Sequence, residues 1–330
     1  MPGIGPVLAV GWRRARDGWA ARRAVRRLVI AVLVLAVAAG AGAGVAGVVR
    51  YGETFWQYRG YAAPAVPHGV AKPEVTTITV NSPALGGYQD KVVVVLPPGY
   101  AADPARRYPV LYLLHGFTGR PTDYLTVGNL ESAYATGLAN GTMRPMILVA
   151  PSGTRSLFDD TEWANSISAD NQWETFVARD LVNAIDARYR TIRSGSGRGI
   201  AGYSEGAYGA LNIGLHHPGE FSLIESWSGY MLADTSPALF DHSKALVRYN
   251  SPQYQVFSAA AGLRASRTFI WFYCGQADED AAQNRTFAAE LTALGIAHDF
   301  FWEPGGHTWR LWRDQMPHAL AAASERLSHG

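Results

Sequence analysis

The chain has 330 residues, 48% hydrophobic and 17% charged, enough to bury a large core, which excludes disorder for its bulk. Its net charge of +2 divides unevenly: residues 1–27 hold seven arginines against the single acid Asp17, or +6, leaving −4 on the remainder. A body so charged lacks the basic face that displaces counterions from phosphates, so nucleic acid is not an expected partner.

After the arginines comes an uncharged run, Leu28 to Val49, of 22 residues. At 1.5 Å per residue a helix of this length spans about 33 Å, close to the thickness of a bilayer's hydrocarbon core. Tyr51, Phe55, Trp56, Tyr58 and Tyr61 follow it, aromatics suited to a membrane interface. The charge asymmetry predicts residues 1–27 as a cytoplasmic N-terminus, 28–49 as a single-pass signal-anchor and the body outside the cytoplasm. A cleaved signal peptide, secreting the body, is the alternative, since Ala and Gly at 38–47 offer cleavage sites and paired arginines suit twin-arginine export. A buried core helix is the third reading. Residues 50–74, with Pro64, Pro67 and Pro73, read as a juxtamembrane linker, and 75–330 as one catalytic domain.

In the body, short β-branched and aromatic runs predict strands at Thr76–Val80, Lys91–Leu96, Val110–Leu114, Met146–Ala150, Gly199–Tyr203, Ser222–Trp227, Thr268–Tyr273 and His298–Trp302. Helical patterns lie at Glu174–Tyr189, Glu205–His216, Ala281–Leu294 and Thr308–Leu327. The early strands come close together, as in hairpins, and the later ones alternate with helices. That order predicts an α/β fold with a mixed, mostly parallel sheet covered by helices on both faces. Active sites of such sheets lie beyond the carboxyl ends of the strands. Residues 229–267 are irregular, and either a cap-like excursion beside the site or a long loop with short helices fits them. Trp163, Trp173, Trp227, Trp302, Trp309 and Trp312 are candidates for the core or for a substrate groove.

Gly202-Tyr203-Ser204-Glu205-Gly206 stands between a predicted strand and a predicted helix. A serine in so sharp a turn needs neighbours without bulk two residues to either side, and here these are Gly202 and Gly206. The turn exposes the hydroxyl at a helix N-terminus, where free N–H groups favour developing negative charge. Ser204 is the expected nucleophile.

A serine hydroxyl needs an imidazole to take its proton. Of nine histidines, His307 sits in Pro304-Gly305-Gly306-His307, a flexible loop between the last strand and the last helix, and is the expected base. The orienting acid is expected in Cys274-Gly275-Gln276-Ala277-Asp278-Glu279-Asp280, and spacing leaves Asp278, Glu279 and Asp280 open. The backbone amides of Glu205 and Phe117, the latter in His115-Gly116-Phe117 after the third strand, are the expected oxyanion donors. His115 is expected to shape that loop. The lone Cys274 excludes an intramolecular disulfide, a cysteine-based zinc site and an iron–sulfur cluster.

The stretches YPVLYLLHGFTG (108–119), ETFVARDLVNAIDARYRT (174–191), GIAGYSEGAYGAL (199–211), FYCGQAD (272–278) and FWEPGGHTWRLWR (301–313) occur in that order. In them the chain resembles the esterase D-like "putative esterase" family of α/β hydrolases, which includes feruloyl esterases, enterochelin-esterase-like enzymes and mycolyltransferases. The resemblance implies an α/β-hydrolase fold and selects Asp278 as the triad acid. It also supports Ser204, His307 and the Phe117 amide. It implies acyl transfer from an ester without metal or organic cofactor, with water or an alcohol as acceptor. Export and tethering make lipid or cell-envelope esters the expected substrates. The carboxyl groups of Glu205, Asp278 and Asp280 suggest a preference for cationic over anionic acyl groups. A dead hydrolase fold that only binds envelope components is the non-enzymatic reading.

Overall fold

The computed structural model describes residues 62–156 and 159–328. The signal-anchor reading of 28–49 lies outside these residues, as do the basic N-terminus and the first part of the linker. Among the described residues no helix is long and apolar enough to cross a membrane. The described part of the linker is mostly exposed, and the Ala63 amide donates to the Thr126 carbonyl of the body (3.0 Å).

Eight strands form one sheet: β1 (Glu74–Ser82), β2 (Tyr88–Leu96), β3 (Val110–Leu114), β4 (Ile147–Pro151), β5 (Arg198–Tyr203), β6 (Leu223–Trp227), β7 (Phe269–Gly275) and β8 (His298–Glu303). Their order across the sheet is β1-β2-β4-β3-β5-β6-β7-β8. β1 and β2 form an antiparallel hairpin and β2 meets β4 antiparallel; every pairing from β4 to β8 is parallel.

Two cores divide along the pleat, because alternate residues of a strand face opposite ways. On β3, Val110, Tyr112 and Leu114 enter one core, while Leu111 and Leu113 enter the other. The second core is covered by α1 (Leu130–Ala139) and, after the last strand, by the C-terminal helix Trp309–Arg326. The first is covered by α2 (173–188), α3 (Glu205–His216), α4 (Pro252–Ser266) and α5 (Ala281–Ala293). The C-terminal helix is α6. Five of the six tryptophans above are fully buried, and only Trp302 reaches solvent, so the core reading holds for five.

Two helices escape the periodicity reading. α4 lies in the irregular segment, with Pro252 at its first turn and a buried stripe of Gln255, Val256, Ala259, Ala260 and Leu263. Alanine and glutamine blur that stripe, as small residues blur α1, where Ala133, Ala135 and Gly137 are buried. Residues 229–267 do hold short helices, Pro237–Phe240 and Lys244–Tyr249, but the 15-residue α4 makes them more than a long loop. The segment packs beside α3: Tyr208 of α3 donates to the Asn250 carbonyl (2.7 Å) and stacks on Tyr230, with centroids 4.7 Å apart.

Candidate active site

The turn between β5 and α3 holds Ser204 at φ 56°, ψ −125°, a conformation that costs a non-glycine residue about 1–3 kcal/mol. Several bonds impose it. The Ser204 amide donates to the Trp227 carbonyl at the end of β6 (3.1 Å), and the Ser204 carbonyl accepts from Ala207 and Tyr208 (2.9 and 3.1 Å). A serine at a helix N-cap ordinarily spends its hydroxyl on the first-turn amides. Ser204 does not, and the hydroxyl is left for another partner. The flanking glycines are demanded by backbone: a Cβ on Gly202 would collide with the Gly206 carbonyl, and one on Gly206 with the Leu114 carbonyl.

That partner is His307. The Ser204 hydroxyl donates to His307 Nε2 (2.7 Å), and His307 Nδ1–H donates to Asp278 Oδ2 (3.0 Å). The Asp278 side chain is fully buried. Burial alone would raise its pKa, but the hydrogen bond and charge of His307, with the Asp280 amide on its other oxygen (3.1 Å), hold it below the usual carboxylate range. The loops carrying acid and base are laced together, since Gln276 N–H donates to Glu303 O (2.8 Å) and Ala277 N–H to Gly305 O (2.7 Å). Of the three acids left open by spacing, Asp278 alone meets the histidine. Asp280 stands half-buried beside it, its pKa pushed up to about 6 by burial and by the Asp278 charge.

The loop after β3 presses against the nucleophile. A Cβ on Gly116 would lie 2.8 Å from Ser204 Cβ and 3.1 Å from the Tyr203 carbonyl, so the chain carrying Phe117 approaches Ser204 at backbone distance. The Glu205 amide opens α3 directly after Ser204. His115 is buried, and its ring nitrogens face the carbonyls of Ser152 and Gly116, a loop-shaping position. Trp163 fastens the same loop by donating to the His115 carbonyl (3.0 Å).

The Glu205 carboxyl contrasts with its amide. It is buried, and burial together with nearby Asp160 and Glu162 pushes its pKa well above the usual range. Glu162 is pushed up to about 8 by burial and takes a hydrogen bond from Tyr230 (2.6 Å). Burial therefore works against a negative charge on Glu205, which the sequence suggested beside the nucleophile, and Asp278 is turned to His307. Asp160, Glu162 and Asp234 are the one set among the described residues whose ligand-type oxygens gather within 4.8 Å, and no sequence pattern announced it. Sequence reasoning also missed the Trp227 carbonyl that holds the nucleophile's amide, because a backbone acceptor leaves no mark in residue identity.

The sheet order, the strained serine turn and the Ser204–His307–Asp278 chain define an α/β-hydrolase-type fold carrying a serine-hydrolase-like site. The family model described as "Putative esterase" matches residues 82–323, and the chain belongs to that family. An esterase of Mycobacterium tuberculosis is 29% identical over 280 positions, covering 73% of this chain and 59% of the relative, so the chain spans little more than half of that protein's length. The MPT51/MPB51 antigen of Mycobacterium bovis is 26% identical over 290 positions, covering 78% of this chain and 89% of the antigen. Among solved structures, a ferulic acid esterase superposes with a TM-score of 0.68 at 25% identity, over 78% of this chain and all (100%) of that one. An S-formylglutathione hydrolase from Agrobacterium tumefaciens shares the fold, with a TM-score of 0.64 at 17% identity over 78% and 96% of the two chains.

Proposed function

We propose that the protein is a serine carboxylic-ester hydrolase working through an acyl-enzyme on Ser204. The observation that carries this reading is the unbroken hydrogen-bond chain from the Ser204 hydroxyl through His307 to buried Asp278. His307 Nε2 takes the Ser204 proton as the oxygen attacks the ester carbonyl, and Asp278 holds the ring and stabilises the imidazolium. The Phe117 and Glu205 amides bind the oxyanion, and His307 returns the proton to the departing alcohol. Water then repeats the sequence, with His307 as base, and frees the acid. None of these steps calls on a metal or organic cofactor. Membership of the esterase family supports the reaction class.

The N-terminal charge pattern and apolar run support placing this activity outside the cytoplasm, with the domain tethered to the membrane or, after cleavage, secreted. Lipid or cell-envelope esters are then the substrates within reach. Transfer of the acyl group to an alcohol is the second reading, and it uses the same site with a different acceptor. Intact-mass measurement decides between them. Acid quench of the wild-type enzyme during turnover of envelope lipid extract should trap a mass adduct on Ser204, and added candidate alcohols divert the acyl group from water only under the second reading. Full 4-nitrophenyl acetate hydrolysis by Ser204→Ala overturns both readings.

A further inference from the structure

A cavity of about 470 Å³ is lined by residues of β2, the loop after β3 and the segment after β4. Gly119 and Arg120 form one wall, and Gly119 N–H donates to Gly116 O (2.7 Å), so this wall continues directly from the backbone packed against the nucleophile. Ser152 forms another wall, and its carbonyl faces the His115 ring at the root of that loop. The cavity and the nucleophile are therefore built on the backbone of one loop.

Its lining is chemically one-sided. Lys91, Arg120 and Arg155 project from three separate segments, the hydroxyls of Ser152, Thr154 and Ser156 lie among them, and no carboxylate lines the cavity. Arg155 is fixed in place: its guanidinium lies 5.5 Å from the centre of the Tyr88 ring and donates to the carbonyls of Leu85 and Asp170. Among the described residues, neither Lys91 nor Arg120 has a carboxylate within ion-pair distance. Arg155 also pairs with the Asp170 carboxylate (3.9 Å), while Asp123 accepts from the Arg120 amide, Asp159 from the Arg155 amide and Asp90 from the Ser152 amide. Lys91 from β2 and Arg120 from the oxyanion loop, with Arg155 shared with Asp170, make a local positive field suited to an oxyanion on a domain whose body is net acidic.

We propose that this cavity is a subsite for an anionic group, phosphate or carboxylate, carried by the ester that Ser204 attacks. The proposal rests on the esterase reading and names its substrate class. It also reverses the preference for cationic acyl groups that the sequence suggested, since the Glu205 carboxyl is buried while Lys91 and Arg120 stand exposed at the cavity.

The test compares matched esters. One pair carries the charge on the alcohol, 4-acetoxyphenyl phosphate against 4-acetoxyanisole; the other carries it on the acyl group, 4-nitrophenyl hydrogen glutarate against 4-nitrophenyl pentanoate. The readout is the ratio of kcat/KM for the anionic ester to that for its neutral partner. In a Lys91→Gln/Arg120→Gln variant this ratio should fall about five- to tenfold in at least one pair, and that pair names the side on which the anion sits. Raising the salt concentration should lower the wild-type ratio toward that of the variant. Unchanged ratios in both pairs, while Ser204→Ala abolishes hydrolysis, overturn the subsite and leave the esterase reading standing. Hydrolysis that survives Ser204→Ala overturns that reading and the subsite with it.

Discussion

The indole of Trp312 meets the His307 ring edge to face, with centroids 5.1 Å apart and planes at 85°. Trp312 is fully buried, and it also packs on Tyr203 and Trp309, so the base's ring leans on the same aromatic cluster that underlies β5. Such pairs contribute about 0.5–1.5 kcal/mol beyond the area they bury. Trp312→Phe keeps an aromatic edge and should lower kcat for 4-nitrophenyl acetate only a few-fold. Trp312→Ala should cost about 3–5 kcal/mol of stability through the cavity it leaves, and should lower kcat more than it raises KM. Urea unfolding and steady-state kinetics on the two variants check this.

Gly116 and Gly206 separate effects on catalysis from effects on folding. A Cβ on Gly116 meets Ser204 Cβ (2.8 Å), the edge of Tyr203 (3.0 Å) and the Tyr203 carbonyl (3.1 Å), so the loop carrying Gly116 has to give way. Gly116→Ala, whose contacts are milder than those at Gly206, should lose less stability but at least tenfold in kcat, because the loop bearing Phe117 is pushed from the nucleophile. A Cβ on Gly206 meets the carbonyls of Leu114 and His115, which are backbone and cannot yield. Gly206→Ala should lose several kcal/mol of stability or fail to accumulate. Melting temperature and kcat measured side by side distinguish the two outcomes.

Much of this arrangement was legible in residue order, and the reason is geometric. Strand-to-helix turns with glycine on both sides, and a glycine-rich loop before a terminal helix, are shapes that few sequences satisfy, so Ser204 and His307 stood out. The acid did not, because Asp278, Glu279 and Asp280 share one turn, and only the lacing of that turn to the Gly305 carbonyl selects which one faces the ring. Charge was read least well. Glu205 looks anionic in the sequence, but its burial against Asp160 and Glu162 is set by residues more than 40 positions away. Helix α4 was hidden for a related reason, since a stripe of alanine and glutamine buries well only when α3 lies beneath it.

Glu162 gives the domain a pH dependence of predictable sign. Its native pKa of about 8 lies far above the ordinary value of 4.5, because burial penalises the charged form. Between those values the native state holds a proton that the unfolded chain has released, so this group makes stability fall as pH rises from about 4.5 through about 8. Glu162→Gln removes the titration and keeps an oxygen to accept from Tyr230. The variant should melt near the wild-type temperature at pH 5 and clearly above it at pH 8.5. Equal melting temperatures at the higher pH would mean that the Glu162 carboxyl ionises in the native state without cost. Asp278 acts with the opposite sign: its depressed pKa contributes stability above the unfolded carboxylate range, and this is lost as pH falls through its native value. Wild-type stability should therefore peak on the acid side of neutrality, and Glu162→Gln should move that peak to higher pH.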